Sequence, residues 1–325
     1  MILLTTACRA AALAALALVA PSAGAQATPV TFRADWTFKA VHAPVFLALE
    51  RGYYAKEGLD LQFLAGSGSA NAVKSVGSKS DSFGLADAAV LARAVGEGSP
   101  VKSIAVIQQA NPIAIAARAD IKAPKDLEGK VLVTTAATGP AQFFPIFARG
   151  AGFDASKVTI ANVAGNAQIS TFIAGRGDAV TVYTNNELPL LQARTPDKTY
   201  TVFRYADFGV VLLNQAILAH NDTIAQNPEL VRKFLRATLK GYEDTAKTPA
   251  AAVDAFLKAN PTTERALLER QLAESLALLR TPASKDKPIG WSAESDWVAT
   301  LDRLEKELGM KNRLAPAAYY TNDLQ

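Results

Sequence analysis

The 325-residue chain is half apolar and carries 34 basic against 30 acidic side chains, a net charge of +4. A chain of this length can bury a sizeable core, and it favours two domains over one. Because the positive charge is weak and scattered, the composition argues against a nucleic-acid partner. After the N-terminal segment, no run approaches the roughly 20 apolar residues of a membrane span.

The N-terminus has the pattern of a signal peptide. Residues 10–20 form an apolar run after Arg9, and small residues follow up to Ala25, as signal peptidase requires. We expect residues 1–25 to be removed, with Ala27 as the second choice of cleavage point and a buried alanine helix as the structural alternative. The sole cysteine, Cys8, lies in this segment, so the mature chain suits a periplasmic location without disulfides.

Strands and helices alternate in the first part of the mature chain. Alternating or continuous apolar residues predict strands at 30–34, 59–63, 83–85 and 101–108. Pro44 suits the first turn of one helix, and Asp87 is placed to cap another at 88–95. This order predicts a parallel sheet with helices on its faces.

The same alternation returns after Asn111 and predicts a second, smaller α/β unit. After the apolar segment 113–121, strands are expected at 130–134, 158–163 and 178–183, with helices at 141–150 and 167–175. The apolar residues 208–219 predict a long strand that crosses back to the first unit. Leucine-rich helices follow at 249–259, 262–280 and 292–308. We expect two lobes, 28–115 plus 210–325 and 116–209, joined by crossover hinges near 111–119 and 205–215, with a ligand cleft between them.

The residues that catalysis needs are missing from the pattern. There is no Gly-x-Ser-x-Gly motif and no mature cysteine, and the two histidines, His42 and His220, are far apart in sequence. They make no zinc motif, and neither a Walker loop nor a dinucleotide fingerprint occurs. The sequence therefore predicts no catalytic residue, no metal and no cofactor.

Polar and aromatic residues at the ends of predicted strands suit binding instead. Trp36 could stack on a flat ring, and His42 and Glu187 could bond a ligand; a core tryptophan, a structural histidine and a free surface glutamate are the alternatives. Three predicted helix N-termini could hold a polar or anionic group, or could be ordinary caps. The candidate ligand-binding residues are Trp36, His42, Ser67, Ser69, Asp87, Thr138, Gly139, Tyr183 and Glu187.

Several segments resemble one family over nearly the whole mature chain. They are DW-x5-HAPVFLALERGYYAKEGLDL from Asp35, DLEGK at 126–130, AGFDASKV at 151–158, NPELVRKFLRA at 227–237 and YYTN at 319–322. The family joins thiamine-pyrimidine synthases to periplasmic binding proteins of ABC importers for pyrimidine precursors, sulfonates and nitrate. The resemblance implies a type II periplasmic-binding-protein fold, with two parallel-rich sheets flanked by helices.

The resemblance also implies roles for individual residues and partners. Trp36 would stack on a pyrimidine ring, and Glu187 would bond its amino group. The synthases carry a cysteine-rich motif that this mature chain lacks, and the asparagine common near the tryptophan of pyrimidine binders is absent from 37–41. We expect a monomer that passes a thiamine pyrimidine precursor to an ABC permease in the inner membrane. A sulfonate, nitrate or aromatic carboxylate ligand, a sensor-kinase partner, and a synthase using His42 are the alternatives.

Overall fold

The computed structural model describes residues 27–136 and 138–325, so the predicted signal peptide lies outside the described residues. The described strands are β1 (Thr28–Arg33), β2 (Leu59–Leu64), β3 (Phe83–Asp87), β4 (Val101–Gln108), β5 (Ile113–Arg118), β6 (Val131–Thr134), β7 (Thr159–Asn162), β8 (Ala179–Tyr183), β9 (Tyr200–Arg204) and β10 (Gln215–His220). The described helices are α1 (Ala43–Glu50), α2 (Tyr53–Lys56), α3 (Ser69–Gly77), α4 (Ala88–Gly96), α5 (Gly139–Gly150), α6 (Gln168–Ile173), α7 (Glu187–Arg194), α8 (Asn221–Gln226), α9 (Pro228–Lys247), α10 (Pro249–Ala259), α11 (Arg265–Leu276) and α12 (Glu294–Leu308).

The strands form two sheets of five. The first sheet has the order β2-β1-β3-β10-β4, and the second has the order β7-β6-β8-β5-β9. In each sheet one strand, β10 or β5, runs antiparallel to both of its neighbours, and the other four share one direction. The two parallel-rich sheets are therefore confirmed, although each is mixed rather than wholly parallel. The reversed strands are those that directly follow a crossing from one sheet to the other.

The two crossings lie close to the predicted hinges. The chain leaves the first sheet after Gln108 and enters the second at Ile113, and it returns between Arg204 and Gln215. Residues 113–115, which we assigned to the first lobe, pair with β8 and β9 in the second sheet. Otherwise the division into lobes and the hinge function of the crossings stay predictions.

The long strand predicted at 208–219 is wrong in its first half. A short 3-10 turn ends at Gly209, whose φ of 82° lies in the left-handed region that favours glycine. The strand begins only at Gln215, and the backbone N–H of Leu213 donates to Thr300 Oγ1 of α12 over 3.0 Å. Three of the apolar residues before Gln215, Val210, Leu212 and Leu213, are thus buried without strand pairing, and Val211 is exposed.

Helix α9 anchors the first sheet. Phe234 stacks on Phe83 of β3 with 3.8 Å between ring centroids, and Thr238 Oγ1 lies 2.9 Å from Tyr54 Oη of α2. On the same helix, a Cβ added to Gly241 would lie 2.8 Å from Ala48 Cβ of α1 and would overlap the carbonyl oxygen of the residue at position 44. Since only glycine permits this approach, α1 is held tightly against α9, and the strand-to-helix turn before α1 is held with it. Among the described helices, none is long and apolar enough to cross a membrane.

Candidate functional site

The candidate site lies where strand ends of the two sheets approach each other. Asp35 follows β1, Asp87 ends β3, Tyr183 ends β8, and Glu187 begins α7 directly after β8. Burial raises the pKa of Tyr183 well above 10, and the negative charges of Asp87, Glu187 and Asp35 raise it further. These three carboxyl groups therefore lie near the Tyr183 hydroxyl, which stays protonated. Ligands of α/β proteins commonly bind at such carboxyl ends of strands.

Asp35 is held by a buried histidine. His42 is fully buried; its Nδ1 accepts from the backbone N–H of Lys39 over 3.0 Å, and its Nε2 lies 2.9 Å from Asp35 Oδ1. Burial would raise the pKa of Asp35, but hydrogen bonds from His42 and Gln215 and the nearby Lys39 charge lower it below 3.8. Because both ring nitrogens have protein partners, the structure places His42 behind the site, where it orients Asp35, and not in the ligand contact we expected.

Trp36 is exposed beside these groups. Its side chain is 39% exposed, which excludes the alternative of a core tryptophan, and Lys39 Nζ lies 6.0 Å from the ring centroid. A Cβ added at Gly68 or Gly165 would come within 4 Å of the ring. The ring thus lies close to backbone of the first-sheet part and to backbone of the second-sheet part.

Glu187 is paired in this structure. One carboxylate oxygen, Oε2, accepts from the backbone N–H of Tyr183 over 3.0 Å. The other, Oε1, accepts from Lys39 Nζ over 3.3 Å and also from Asn186 Nδ2. The free surface glutamate that we considered is therefore excluded, and an ion pair joins the Trp36 turn to helix α7.

The predicted glycine at 139 has a clear steric reason. A Cβ at Gly139 would lie 3.0 Å from Tyr183 Oη and 3.4 Å from Ile113 Cδ1. The backbone N–H of Gly139 bonds the Tyr183 hydroxyl, an interaction that lowers the tyrosine pKa against the larger effect of burial. Gly139 therefore lets helix α5 begin directly against the end of β8. In the described part of the chain, no group of three His, Cys, Asp or Glu side chains could hold a metal ion.

The hydroxyl candidates mainly bond their own turns. Ser69 Oγ accepts from the backbone N–H of Asp87 over 3.0 Å, so it ties α3 to the end of β3. Ser67 Oγ accepts from Asn71 Nδ2 over 3.0 Å, and Thr138 Oγ1 donates to a carbonyl oxygen three residues earlier. The structure thus brings Ser69 into the site's framework, while Ser67 is exposed and the Thr138 side chain bonds back to the preceding turn without capping α5.

Only one of the two carboxylate oxygens of Asp87 has hydrogen-bond partners in the described structure. As predicted, it caps α4: its Oδ1 accepts from the backbone N–H groups of Ala89 and Val90, over 2.8 and 3.3 Å. Its Oδ2 is buried without a partner among the described residues. Burial raises the pKa of Asp87 to about 7, the two N–H bonds lower it, and the charge of Asp35 adds to the rise.

Sequence reasoning missed four residues at this site: Lys39, Gln108, Asn111 and Gln215. The side chains of the last three each carry a buried polar atom without a hydrogen-bond partner in the described structure. Gln108 and Gln215 stood out in the sequence as polar residues at the ends of otherwise apolar stretches. A polar residue at the end of an apolar stretch was thus the feature of the sequence that could have indicated these two residues.

The chain is similar to a known protein family and to several known proteins. Residues 39–252 match the family described as NMT1/THI5-like. The formylaminopyrimidine-binding protein of Halalkalibacterium halodurans is 27% identical over 84% of this chain and 85% of that protein. The riboflavin-binding protein RibY of Chloroflexus aurantiacus is 30% identical over 92% of this chain and 88% of that protein.

An enzyme and a protein of solved structure are similar to this chain at lower sequence identity. A 4-amino-5-hydroxymethyl-2-methylpyrimidine phosphate synthase of Legionella pneumophila is 22% identical over 90% of this chain and 94% of that protein. The alkanesulfonate-binding protein SsuA of Xanthomonas axonopodis, bound to MOPS, superimposes with a TM-score of 0.68 at 14% identity, over 90% of this chain and 99% of that one. This likeness confirms the periplasmic-binding-protein fold. With most of its length matched by the family model, the chain belongs to the NMT1/THI5-like family.

Proposed function

We propose that this protein is an extracytoplasmic solute-binding protein that captures an aminopyrimidine between its two lobes and delivers it to an ABC permease. The observation that carries the proposal is the exposed Trp36 ring beside the carboxyl groups of Asp35, Asp87 and Glu187. Two relatives named for binding a formylaminopyrimidine and riboflavin, whose ligands both contain a pyrimidine ring, support it.

The charge of the site favours an amino-heterocycle over a small anion. A flat ring can stack on Trp36, and its amino hydrogens or a protonated ring nitrogen can donate to carboxylate oxygens. A sulfonate, nitrate or carboxylate ligand would instead approach three acidic groups, one of which, Glu187, already pairs with Lys39. The dione edge of a flavin offers mainly acceptors there, so we place the aminopyrimidine before riboflavin.

Binding rather than catalysis is the better-supported activity. The sole cysteine, Cys8, belongs to the predicted signal peptide, and His42 has both ring nitrogens bonded within the protein. The synthase in the comparison is also less similar to this chain than the two binding proteins are. We propose a periplasmic monomer, with residues 1–25 removed on export and with no cofactor.

Calorimetry and thermal shift with the mature protein test the proposal. The panel is an aminopyrimidine series, riboflavin, an alkyl sulfonate and nitrate. A ligand at about 100 times its Kd should raise the free energy of unfolding by about 2.7 kcal/mol. We expect the aminopyrimidines to bind; preferential binding of riboflavin or of an anion would overturn the ligand assignment.

Fluorescence tests the stacking. Ligand should quench tryptophan emission, and Trp36→Ala should lose both the quench and most of the affinity, while Trp36→Phe should keep part of it. Trp291→Phe is the matched control, because Trp291 also has a lysine ammonium over its ring, that of Lys287 at 5.1 Å. Unchanged affinity in Trp36→Ala would remove this ring from the site.

A further inference from the structure

Helix α11 contacts both halves of the protein, each half being built on one sheet. Leu268 and Leu272 lie about one turn apart and are buried in a cluster with Leu47 of α1 and residues of α10. Gln271 and Ser275, also about one turn apart, lie beside that row and bond the turn between β8 and α7. One row of side chains therefore attaches α11 to the first-sheet half, and the neighbouring row reaches the second-sheet half.

The hydrogen bonds across this contact are buried. Gln271 Nε2 donates to the backbone oxygen of Asn186 over 3.0 Å and to its side-chain oxygen Oδ1 over 3.1 Å. Asn185 Nδ2 donates to Ser275 Oγ over 3.3 Å. Gln271, Ser275 and Asn185 are 7%, 4% and 8% exposed. Because a buried polar group without a partner is costly, these bonds favour one arrangement of the two halves over others that would bury the same groups unbonded.

Asn186 links this contact to the candidate site. Its Oδ1 accepts from Gln271 Nε2, and its Nδ2 donates to Glu187 Oε1. The two ends of an asparagine amide are similar in shape but opposite in hydrogen-bonding role, so a donor placed at one end decides which way the group turns. By donating to Oδ1, Gln271 directs the N–H groups of Asn186 toward Glu187.

Two side chains of the first-sheet half thus act on Glu187, and they act differently. Lys39 Nζ donates directly to Glu187 Oε1 over 3.3 Å and offsets the negative charge. Gln271 is neutral and acts through Asn186, so it orients the carboxylate without adding a counter-charge. The backbone N–H of Tyr183, which donates to Glu187 Oε2, belongs to the same half as Glu187. The surroundings of Oε1 therefore depend on closure of the two halves, and this bond to Oε2 does not.

We propose that Gln271 is a positioning residue for ligand capture, which acts through Asn186 to hold the Glu187 carboxylate in one orientation while the two halves are closed. When the halves separate, Gln271 leaves Asn186 and the carboxylate loses that constraint. The inference rests on the proposed function, in which Glu187 accepts a hydrogen bond from the ligand. An acceptor that is already oriented does not have to be ordered when the ligand binds, so closure and ligand affinity reinforce each other through this carboxylate.

A double-mutant cycle between Gln271 and Glu187 tests the inference. Calorimetry gives the affinity for the aminopyrimidine of the series above that wild type binds most tightly. Gln271→Met removes the donor at similar side-chain size, and it should weaken binding by about three- to tenfold, the effect of one good hydrogen bond. In the Glu187→Met background, where no carboxylate remains to be oriented, the same substitution should weaken binding by less than about twofold.

Ser275→Ala is the matched control, because it removes a hydrogen bond across the same contact that ends on Asn185 and not on Asn186. Its effect on the affinity should be the same with and without Glu187. A second cycle removes the link itself: Asn186→Leu should weaken binding about as much as Gln271→Met does, and adding Gln271→Met to it should have less than about a twofold further effect.

The outcomes separate this inference from the proposed function. If wild type binds the ligand and Gln271→Met weakens binding equally with and without Glu187, or not at all, the positioning role is overturned and the proposed function stands. If no aminopyrimidine binds wild type, the proposed function fails and the positioning role fails with it. Melting temperatures identify any variant that does not fold. If Glu187→Met does not fold or binds too weakly to measure, the cycle with Asn186→Leu decides.

Discussion

The partly satisfied carboxyl of Asp87 leads to a quantitative prediction about stability and pH. Burial raises its pKa from 3.8 to about 7 in the folded protein. The folded state therefore holds the proton more tightly than the unfolded chain does. The associated stability is fully present below about pH 3.8 and is lost as the pH rises to about 7, because above that value the fold must bury a charge.

The size of the effect follows from the pKa difference. A rise of about three units corresponds to about 4 kcal/mol between the limits, at about 1.4 kcal/mol per unit. Asp87→Asn removes the ionisable group and keeps an oxygen that can accept from the N–H groups of Ala89 and Val90. Relative to wild type, the free energy of unfolding of Asp87→Asn should therefore increase by about 2–3 kcal/mol between pH 5 and pH 8.

Urea unfolding at pH 5, 6, 7 and 8, followed by circular dichroism, measures this difference. Asp87→Ala is the control: it also removes the charge, but it loses the cap of α4 and should be less stable than Asp87→Asn by about 1 kcal/mol at every pH. A difference between Asp87→Asn and wild type that does not change with pH would refute the reasoning, because it would mean that the carboxyl titrates alike in folded and unfolded chains.

Three further substitutions probe other parts of the structure. Lys39→Met removes a partly exposed ion pair with Glu187 that favours the closed form, so calorimetry should give weaker aminopyrimidine binding, by up to about fivefold, at a cost of about 0.2–1 kcal/mol in stability; unchanged or tighter binding would contradict a role of this ion pair in closure. Gly241→Ala should lower the free energy of unfolding in urea by about 1–3 kcal/mol, because its Cβ has no room against α1; an unchanged midpoint would show that α9 can shift. Hydrogen bonds from Lys240, Tyr53 and Arg51 lower the pKa of Asp244 to about 2, against the effect of burial. Asp244→Asn should therefore lower the free energy of unfolding by about 1–2 kcal/mol at pH 7, and by less as the pH falls through 3.8 toward 2. An equal loss of stability at pH 3 and pH 7 would show that ionisation of Asp244 is not the source of this stability.

The regular elements were predictable because their signals are local. Helix α10 was predicted at 249–259 and is found there, since Pro249 suits a first turn and the apolar face recurs at helical spacing. The irregular conformation of 209–214 was not predictable, because most of its apolar residues are buried in a cluster with residues of α12, more than 80 residues later in the chain. No local pattern separates residues buried by a distant helix from those buried within a sheet.

The candidate site was likewise predictable in part. The proximity of Asp87, Tyr183 and Glu187 was predictable, because polar residues at strand ends gather at one edge of a sheet. Gln108 and Gln215 were missed because their juxtaposition depends on β10 inserting between β3 and β4 in the reverse direction. His42 was placed on the wrong side of Asp35, since the sequence does not say which way a ring turns.

The contacts between the two halves of the protein are apolar near the crossings and polar near Trp36, and this difference affects how a ligand is captured. Near the crossings they are apolar: Ile113, Leu212 and Leu213 belong to one continuous buried cluster. Near Trp36 they are polar: Lys39 pairs with Glu187, and Gln271 Nε2 donates to the carbonyl oxygen of Asn186 over 3.0 Å.

Half-exposed polar contacts contribute little net stability, whereas a buried apolar cluster is costly to separate. The two halves should therefore part on the Trp36 side and stay packed at the crossings. A ligand that stacks on Trp36 and bonds carboxyl groups of both halves adds its affinity only to the closed form, and this differential affinity shifts the equilibrium toward closure. Lys39→Met weakens the closed form without ligand, so small-angle scattering of ligand-free protein should give a larger radius of gyration for this variant than for wild type. Saturating aminopyrimidine should remove the difference; if the two radii agree without ligand, the Lys39–Glu187 pair does not hold the halves together.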